Sequence, residues 1–365
     1  MKKYLYFIVL LVCISCTDSS RQKIKSLSEK YTELKGVTLT CDSVLLSPRI
    51  VSFFNNNIVT LRYSGEYIFT VYHVDNNQIK EIGSFGKIGI GPNEFSGIVS
   101  CYFDQVHNSF YIFNINDINV ESYQIDLSYV ANLFNVNTWK KIPVPSFEKT
   151  YWRSFTPVSD SLLIALGGNI DKMNLLSIID LKTKSMKELA IPFPQDGIDV
   201  APLTKRFVYN SGELLKRPSA NQFLYYCKNW GNYAEIITLE DGKPVHRKII
   251  SEDYPIYRTA ANGIDSQSDK GTLMGMISYV TNKYIYIMPD FRNKEEYLNN
   301  NKNKNYPNDH LDMMYIFDWE GQFVKLYKLS KPIGCFVVTP DDSFILGSCD
   351  DFKSCDLSIE KYQLR

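Results

Sequence analysis

Short runs rich in Val, Ile, Phe and Tyr recur along most of the chain, cut by clusters of Gly, Pro, Asn and Asp. The pattern is clearest in residues 315–348, which read YIFD, WEGQ, FVKLYKLS, KPIG, CFVVTP, DDS and FILGS. This spacing predicts antiparallel strands joined by tight turns. A first strand is predicted over residues 37–46, then 58–63, 67–74 and 79–83, with Ser64-Gly65 and Asp75-Asn76-Asn77 as turns. A second group covers 98–103, 109–113, 120–125 and 133–142, and a third 152–157, 162–166, 175–180 and 186–191. The fourth takes in 206–209, 223–226, 234–239 and 245–250, and the fifth 275–280, 284–288, 314–317 and 323–329. The sixth has only 335–339, 344–347 and 359–364. Each group fills about 45–55 residues, the length of a four-stranded propeller blade with its loops. The sixth lacks a strand, while residues 37–46 stand unpaired. A ring closed by the N-terminal strand resolves both facts and removes the open seam. The expected fold is all-β: a six-bladed β-propeller of four-stranded antiparallel blades.

Composition agrees with strands. Aromatic residues make up 14% of the 365, with 25 Tyr and 21 Phe, where a helical protein would lead with Ala and Leu. Forty basic residues balance 40 acidic ones, so no global field draws the chain to nucleic acid, and no such partner is expected.

The N-terminus reads as an address. Lys2 and Lys3 precede the apolar run 4–12 and the small-residue stretch Cys13-Ile14-Ser15-Cys16. An apolar run of about 11 residues is too short for a bilayer core, which needs roughly 20. The stretch resembles a bacterial lipoprotein signal with Ser15 before the cut, although Cys13 stands where Leu is usual. Residues 1–15 are then the signal peptide, Cys16 the lipid attachment site, 16–35 a polar tether and 36–365 the propeller. The expected location is the cell envelope, anchored to a membrane through Cys16, with the outer membrane favoured and the face left open. An ordinary secretory signal or an uncleaved anchor is the alternative.

Beyond Cys13 and Cys16, the cysteines at 41, 101, 227, 335, 349 and 355 are widely spaced. They read as small buried strand residues, with Cys349 and Cys355 the one pair close enough to staple a loop. No CxxC occurs.

Between the first two groups runs Gly83-Ser84-Phe85-Gly86-Lys87-Ile88-Gly89-Ile90-Gly91-Pro92-Asn93-Glu94-Phe95. This resembles the FG…GxGPxEF signature of six-bladed propellers of TolB-like or NHL-like architecture, which recur as lipoproteins in Bacteroides-type bacteria. The resemblance rests on this motif, the lipoprotein-type start and the strand rhythm; it implies the fold and brings no substrate. Read physically, the motif is structural. Gly86, Gly89 and Gly91 allow close backbone approach or positive φ, Pro92 stiffens a turn, Glu94 accepts hydrogen bonds from a loop, and Phe95 fills the gap between blades. A phosphate-cradling loop would need a helix behind it, and a strand follows here.

Candidate chemistry is sparse. His73, His107, His246 and His310 share no metal-ligand spacing, though His310 lies near Asp309 and Asp312. Asp341-Asp342 and Asp350-Asp351 read as turn residues, since neither fits an EF-hand. No metal site or cofactor is implied by a local motif. The polar insert 291–312 and the segment 192–202 are candidate recognition loops. Trp139, Trp152, Trp230 and Trp319 either fill inter-blade space or stack on a ligand.

The expected function is a non-catalytic binding or scaffold lipoprotein presenting propeller loops to a protein, peptide or glycan partner, with Trp152 and Trp230 as glycan-stacking candidates. The alternative is a metal-assisted envelope lyase or lactonase/hydrolase with its site at the channel mouth. Charged side chains from different blades converging at the mouth would favour the enzyme; a plugged channel and an apolar or aromatic outer patch would favour the scaffold.

Overall fold

The computed structural model describes residues 24–27, 30–41, 45, 49–116, 119–302, 311–351 and 356–364. Cys16, Asp309, His310 and Cys355 lie outside them.

Turn chemistry sets the hairpins. Asn55 and Asn56 have φ of 44° and 57°, and Asp241 and Gly242 have 49° and 69°, the left-handed pairs that two-residue hairpins require. Blade 1 runs from its inner to its outer strand through Arg49–Phe54, Asn57–Leu61, Tyr67–Asp75 and Gln78–Lys87. Blade 2 comprises Ile98–Asp104, Ser109–Asn116, Asn119–Asp126 and Lys140–Pro143, and blade 3 Thr150–Ser159, Leu162–Asn169, Leu176–Asp180 and Ser185–Glu188. Blade 4 comprises Glu213–Lys216, Gln222–Tyr226, Asn232–Glu240 and Lys243–Asp253, and blade 5 Met276–Val280, Tyr284–Pro289, Leu311–Asp318 and Phe323–Ile333. Blade 6 begins with Cys335–Val338, Phe344–Asp351 and Asp356–Gln363. Successive inner strands touch around the circle, with the last against the first, so the ring is closed. Apolar faces pack between neighbouring blades: Phe69 and Phe85 of blade 1, for example, share a cluster with Phe110 and Tyr123 of blade 2.

The N-terminal strand closes the ring as the sequence predicts. Gly36–Cys41 pairs antiparallel with Asp356–Gln363, placing Leu39 opposite Ile359 and Thr38 opposite Glu360. Both apolar partners are buried. Gly36 starts this strand because it lies flat on the Tyr362 ring; a Cβ there would sit 2.7 Å from Cε1. The buried Glu360 carboxylate ties the seam, accepting from Thr38 Oγ1 at 2.5 Å and from Lys331 Nζ of blade 5 at 2.6 Å.

Part of the segment expected to be a tether packs on the propeller. Ile24 is buried among blade 4 and blade 5 residues, Lys25 Nζ lies 5.5 Å from the Phe291 ring centroid, and Thr32–Leu34 adds a parallel fifth strand to blade 5. Among the described residues no helix is long and apolar enough to cross a membrane.

Within the blades and their connections the structure also differs from the sequence reading. The inner strand of blade 1, Arg49–Phe54, has no counterpart among the predicted strands. Most of residues 133–142 is not strand: 3₁₀ turns occupy Val130–Phe134 and Val136–Thr138. There the Asn135 side chain accepts from Asn137 N–H, and Thr138 Oγ1 donates to the carbonyls of Asn132 and Asn135, local bonds that replace a sheet ladder. Residues 206–209 belong to helix α1 (Pro202–Tyr209), opened by proline at its first position, and the inner strand of blade 4 starts only at Glu213.

Candidate functional site

Consecutive strands of a blade are antiparallel. The loop between the second and third strands and the connection onward to the next blade therefore fall on one face. That face carries the longer insertions: α1, the hairpin of Tyr257–Thr259 with Ser266–Ser268, and helix α2 (Lys294–Lys302). Segment 192–202 and the described part of 291–312 both lie there. Helix α2 starts on a reciprocal cap, with Glu296 N–H donating to Asn293 Oδ1 and Asn293 N–H to Glu296 Oε2, each at 2.8 Å.

A cavity of about 750 Å³ occupies the central channel, lined by the inner strand of every blade and by residues of this face. Its charged groups come from four blades. Glu213 opens the inner strand of blade 4 and Arg49 that of blade 1; in a ring of six these blades are opposite. Arg49 Nη2 donates to Glu213 Oε1 at 2.9 Å, so the ion pair bars the channel. Lys228 Nζ donates to the same oxygen, and the Tyr226 hydroxyl donates to Oε2 at 2.5 Å. Glycine makes this possible: a Cβ on Gly275 would lie 1.9 Å from the Lys228 carbonyl oxygen, so blade 5 can approach the Lys228 loop only with glycine there. Arg153 of blade 3 reaches the lining from a β-bulge, the register slipping between Trp152 and Ser154, and such bulges re-aim side chains. Asp290 also lines the cavity but is chelated by Arg292, whose Nε and Nη2 donate to its two oxygens. Tyr63, Trp230 and Tyr297 add aromatic surface.

The electrostatics pin these groups in their charged or neutral forms. Burial alone would raise the Glu213 pKa, but Lys228, Arg49 and the hydrogen bonds from Lys228 and Tyr226 outweigh it and hold the group at about 2 instead of 4.5. The Lys228 ammonium falls below its usual value through burial and through the neighbouring Arg49 and Arg153, against the pull of Glu213. Burial pushes the Cys101 thiol up to about 12, so it stays protonated.

The Glu213 value carries a prediction. A carboxylate whose pKa is depressed on folding stabilises the fold above its unfolded value, and that contribution is lost as pH falls through the folded value. The stability advantage of wild type over Glu213→Gln is expected to be full above pH 4.5, to shrink below it and to vanish near pH 2. Denaturant titrations across this range check it; a gap that stays constant with pH would refute it.

None of the motif residues Gly86, Gly89, Gly91, Pro92, Glu94 and Phe95 lines the cavity. They form the connection from blade 1 to blade 2. Gly86 has φ of 71°, Glu94 accepts from Gly91 N–H at 2.9 Å and pairs with Lys87 at 3.0 Å, and Phe95 is buried between the two blades. His73 bonds to Asn57, His107 pairs with Asp104, and His246 lies on the outer strand of blade 4. Asp342 sits in a turn at φ 57°, accepting from Thr281 and Tyr286. Trp139, Trp152 and Trp319 are buried, and Trp230 alone of the four is at the cavity. Among the described residues no group of three or more His, Cys, Asp or Glu side chains is placed to hold a metal ion. Sequence reasoning missed Arg49, Arg153, Glu213 and Lys228. Their only local signal is a lone charge in or beside an apolar strand, as in RIVSFF, YWRSF and YYCKNW.

Fold and channel together define a six-bladed propeller with a ligand-sized polar cavity at its centre. The chain belongs to the TolB-like 6-blade propeller-like family, whose model matches residues 26–341. A DUF4221 family member from Bacteroides vulgatus superposes with a TM-score of 0.55 at 10% identity, covering 91% of this chain and 96% of that one. A Bacteroides fragilis protein classed as exported superposes with a TM-score of 0.55 at 12% identity, covering 92% and 96%. At such identities the likeness concerns the fold alone. Among curated proteins none matches the chain.

Proposed function

We propose that this protein is an exported, lipid-anchored propeller of the bacterial cell envelope that binds a ligand in its central channel without turning it over. The observation that carries the reading is the cavity of about 750 Å³ with charged side chains converging from blades 1, 3 and 4. Its volume falls in the range of small-molecule sites, roughly 300–1,000 Å³. A scaffold that works only through its outer loops has no use for a charged cavity on its axis. Proton-transfer catalysis needs a group titrating near the working pH. Glu213 at about 2 and the Cys101 thiol at about 12 are both far from that window, and the Lys228 ammonium, though lowered by burial, is held on Glu213. The envelope address is supported by the basic, apolar start ending at Cys16 and by the exported Bacteroides fragilis relative.

Native mass spectrometry of the full chain, purified in detergent from its own envelope, tests both parts. A bound small-molecule mass is expected on wild type and absent from Ser100→Trp, which places an indole ring in the cavity; circular dichroism verifies that variant's fold. The acyl mass on the wild-type chain is expected to vanish in Cys16→Ser. The same bound species on both proteins, or none on either, rejects the channel as the binding site, and acyl mass retained in Cys16→Ser rejects the anchor.

A further inference from the structure

Each blade's inner strand is the terminal member of its sheet, so one edge of every inner strand faces the channel. Such edges present rows of main-chain donors and acceptors that no neighbouring strand satisfies. Six of them converge on one cavity. Two hydroxyls in the lining, Ser154 Oγ and Ser278 Oγ, are buried without a hydrogen-bond partner among the described residues. A wall of this kind suits a polyhydroxylated ligand. An extended peptide would instead add along a single edge and run on beyond the site.

Charge narrows the class. Three cations, Arg49, Arg153 and Lys228, share the lining with Glu213, while Asp290 is neutralised by Arg292. Arg49 and Lys228 are already held on Glu213. Arg153 has no hydrogen-bond or ion-pair partner among the described residues. One uncommitted guanidinium matches one carboxylate, whose two oxygens its planar fork can take bidentately. Trp230, Tyr63 and Tyr297 line the same cavity.

We infer that the channel binds a small uronate-type sugar, its carboxylate on Arg153 and its hydroxyls on the inner-strand edges. This deepens, and rests on, the binding reading above. Isothermal titration of the full chain in detergent with the methyl glycoside of galacturonate, with its carboxyl-reduced galactoside counterpart and with triaspartate tests it. The galacturonide is expected to bind, and loss of its one charge-assisted contact to weaken it about 10- to 100-fold, whether through Arg153→Gln or through carboxyl reduction of the sugar. Arg153→Lys is expected to restore part of the affinity, since it keeps the charge and loses the fork. Equal binding of the reduced sugar, tighter binding of triaspartate, or no effect of Arg153→Gln would overturn the assignment. Absence of galacturonide binding, with a native ligand still lost in Ser100→Trp, removes the uronate and leaves the channel reading standing. A native ligand that survives Ser100→Trp removes both.

Discussion

Replacing Phe95 by alanine is expected to cost about 3–5 kcal/mol of stability, the usual penalty for emptying a large aromatic site in a packed core. The ring is 1% exposed. It meets Tyr123 edge-on at 6.1 Å and Trp139 at 6.3 Å, within a cluster that also holds Phe69 and Phe85 of blade 1. Its backbone is fixed as well: Phe95 N–H donates to the Lys87 carbonyl at 2.8 Å, and Gly89 N–H donates to the Phe95 carbonyl at 3.2 Å. The side chain therefore cannot be replaced by a small shift of its loop, and the cavity left behind stays largely open. Glu94→Ala, which removes only a wet loop contact, is expected to cost much less. Equilibrium unfolding in urea checks both, and a loss below about 1 kcal/mol for Phe95→Ala would show that blades 1 and 2 do not depend on this contact.

Arg206→Met is expected to be comparably severe, about 3–5 kcal/mol, for a different reason. The Arg206 side chain is fully buried, and its Nη2 donates to the carbonyls of Asn169 at 2.8 Å, Lys172 at 3.1 Å and Asn174 at 3.1 Å. Those carbonyls belong to the loop between the second and third strands of blade 3, so Arg206 clips that loop to α1. The guanidinium also lies 5.3 Å from the Phe193 ring. Methionine keeps much of the volume and leaves the carbonyls without their donor, each at a cost of about 1–3 kcal/mol where water cannot reach. Arg206→Lys is expected to recover only part, because all three bonds come from Nη2, one bond farther out than a lysine ammonium reaches. Unfolding as stable as wild type in the Met variant would mean that water enters and satisfies the loop.

Arg206 stands behind the channel rather than in it. It orders the connection between blades 3 and 4, the blades that present Arg153 and Glu213 to the cavity. A stable but loosened variant is therefore expected to weaken ligand binding without touching the ligand.

These two residues mark the difference between what could be read locally and what could not. Phe95 belongs to a motif whose glycines, proline and aromatic residue sit within a few positions of each other, and its place between blades was an expectation of the sequence. Arg206 falls in an apolar stretch that reads as strand and folds as helix. Its acceptors lie more than 30 residues away in the chain, as the nearest of its three bonds shows. The Asn293 and Glu296 cap of α2 was a readable signal, an Asn followed three residues later by Glu, inside a stretch expected as loop.

The amino-acid sequence by itself determined the all-β class, the blade count, the closure by the N-terminal strand and tight turns such as Asp75-Asn76-Asn77. All of these follow from alternation and turn chemistry, which act over two to ten residues. Only the tertiary structure decided the site. Arg49, Arg153, Glu213 and Lys228 come from three blades and meet because a closed ring turns every inner strand toward one axis. Burial and mutual charge then set the state of each, and neither is a property of any stretch of sequence on its own.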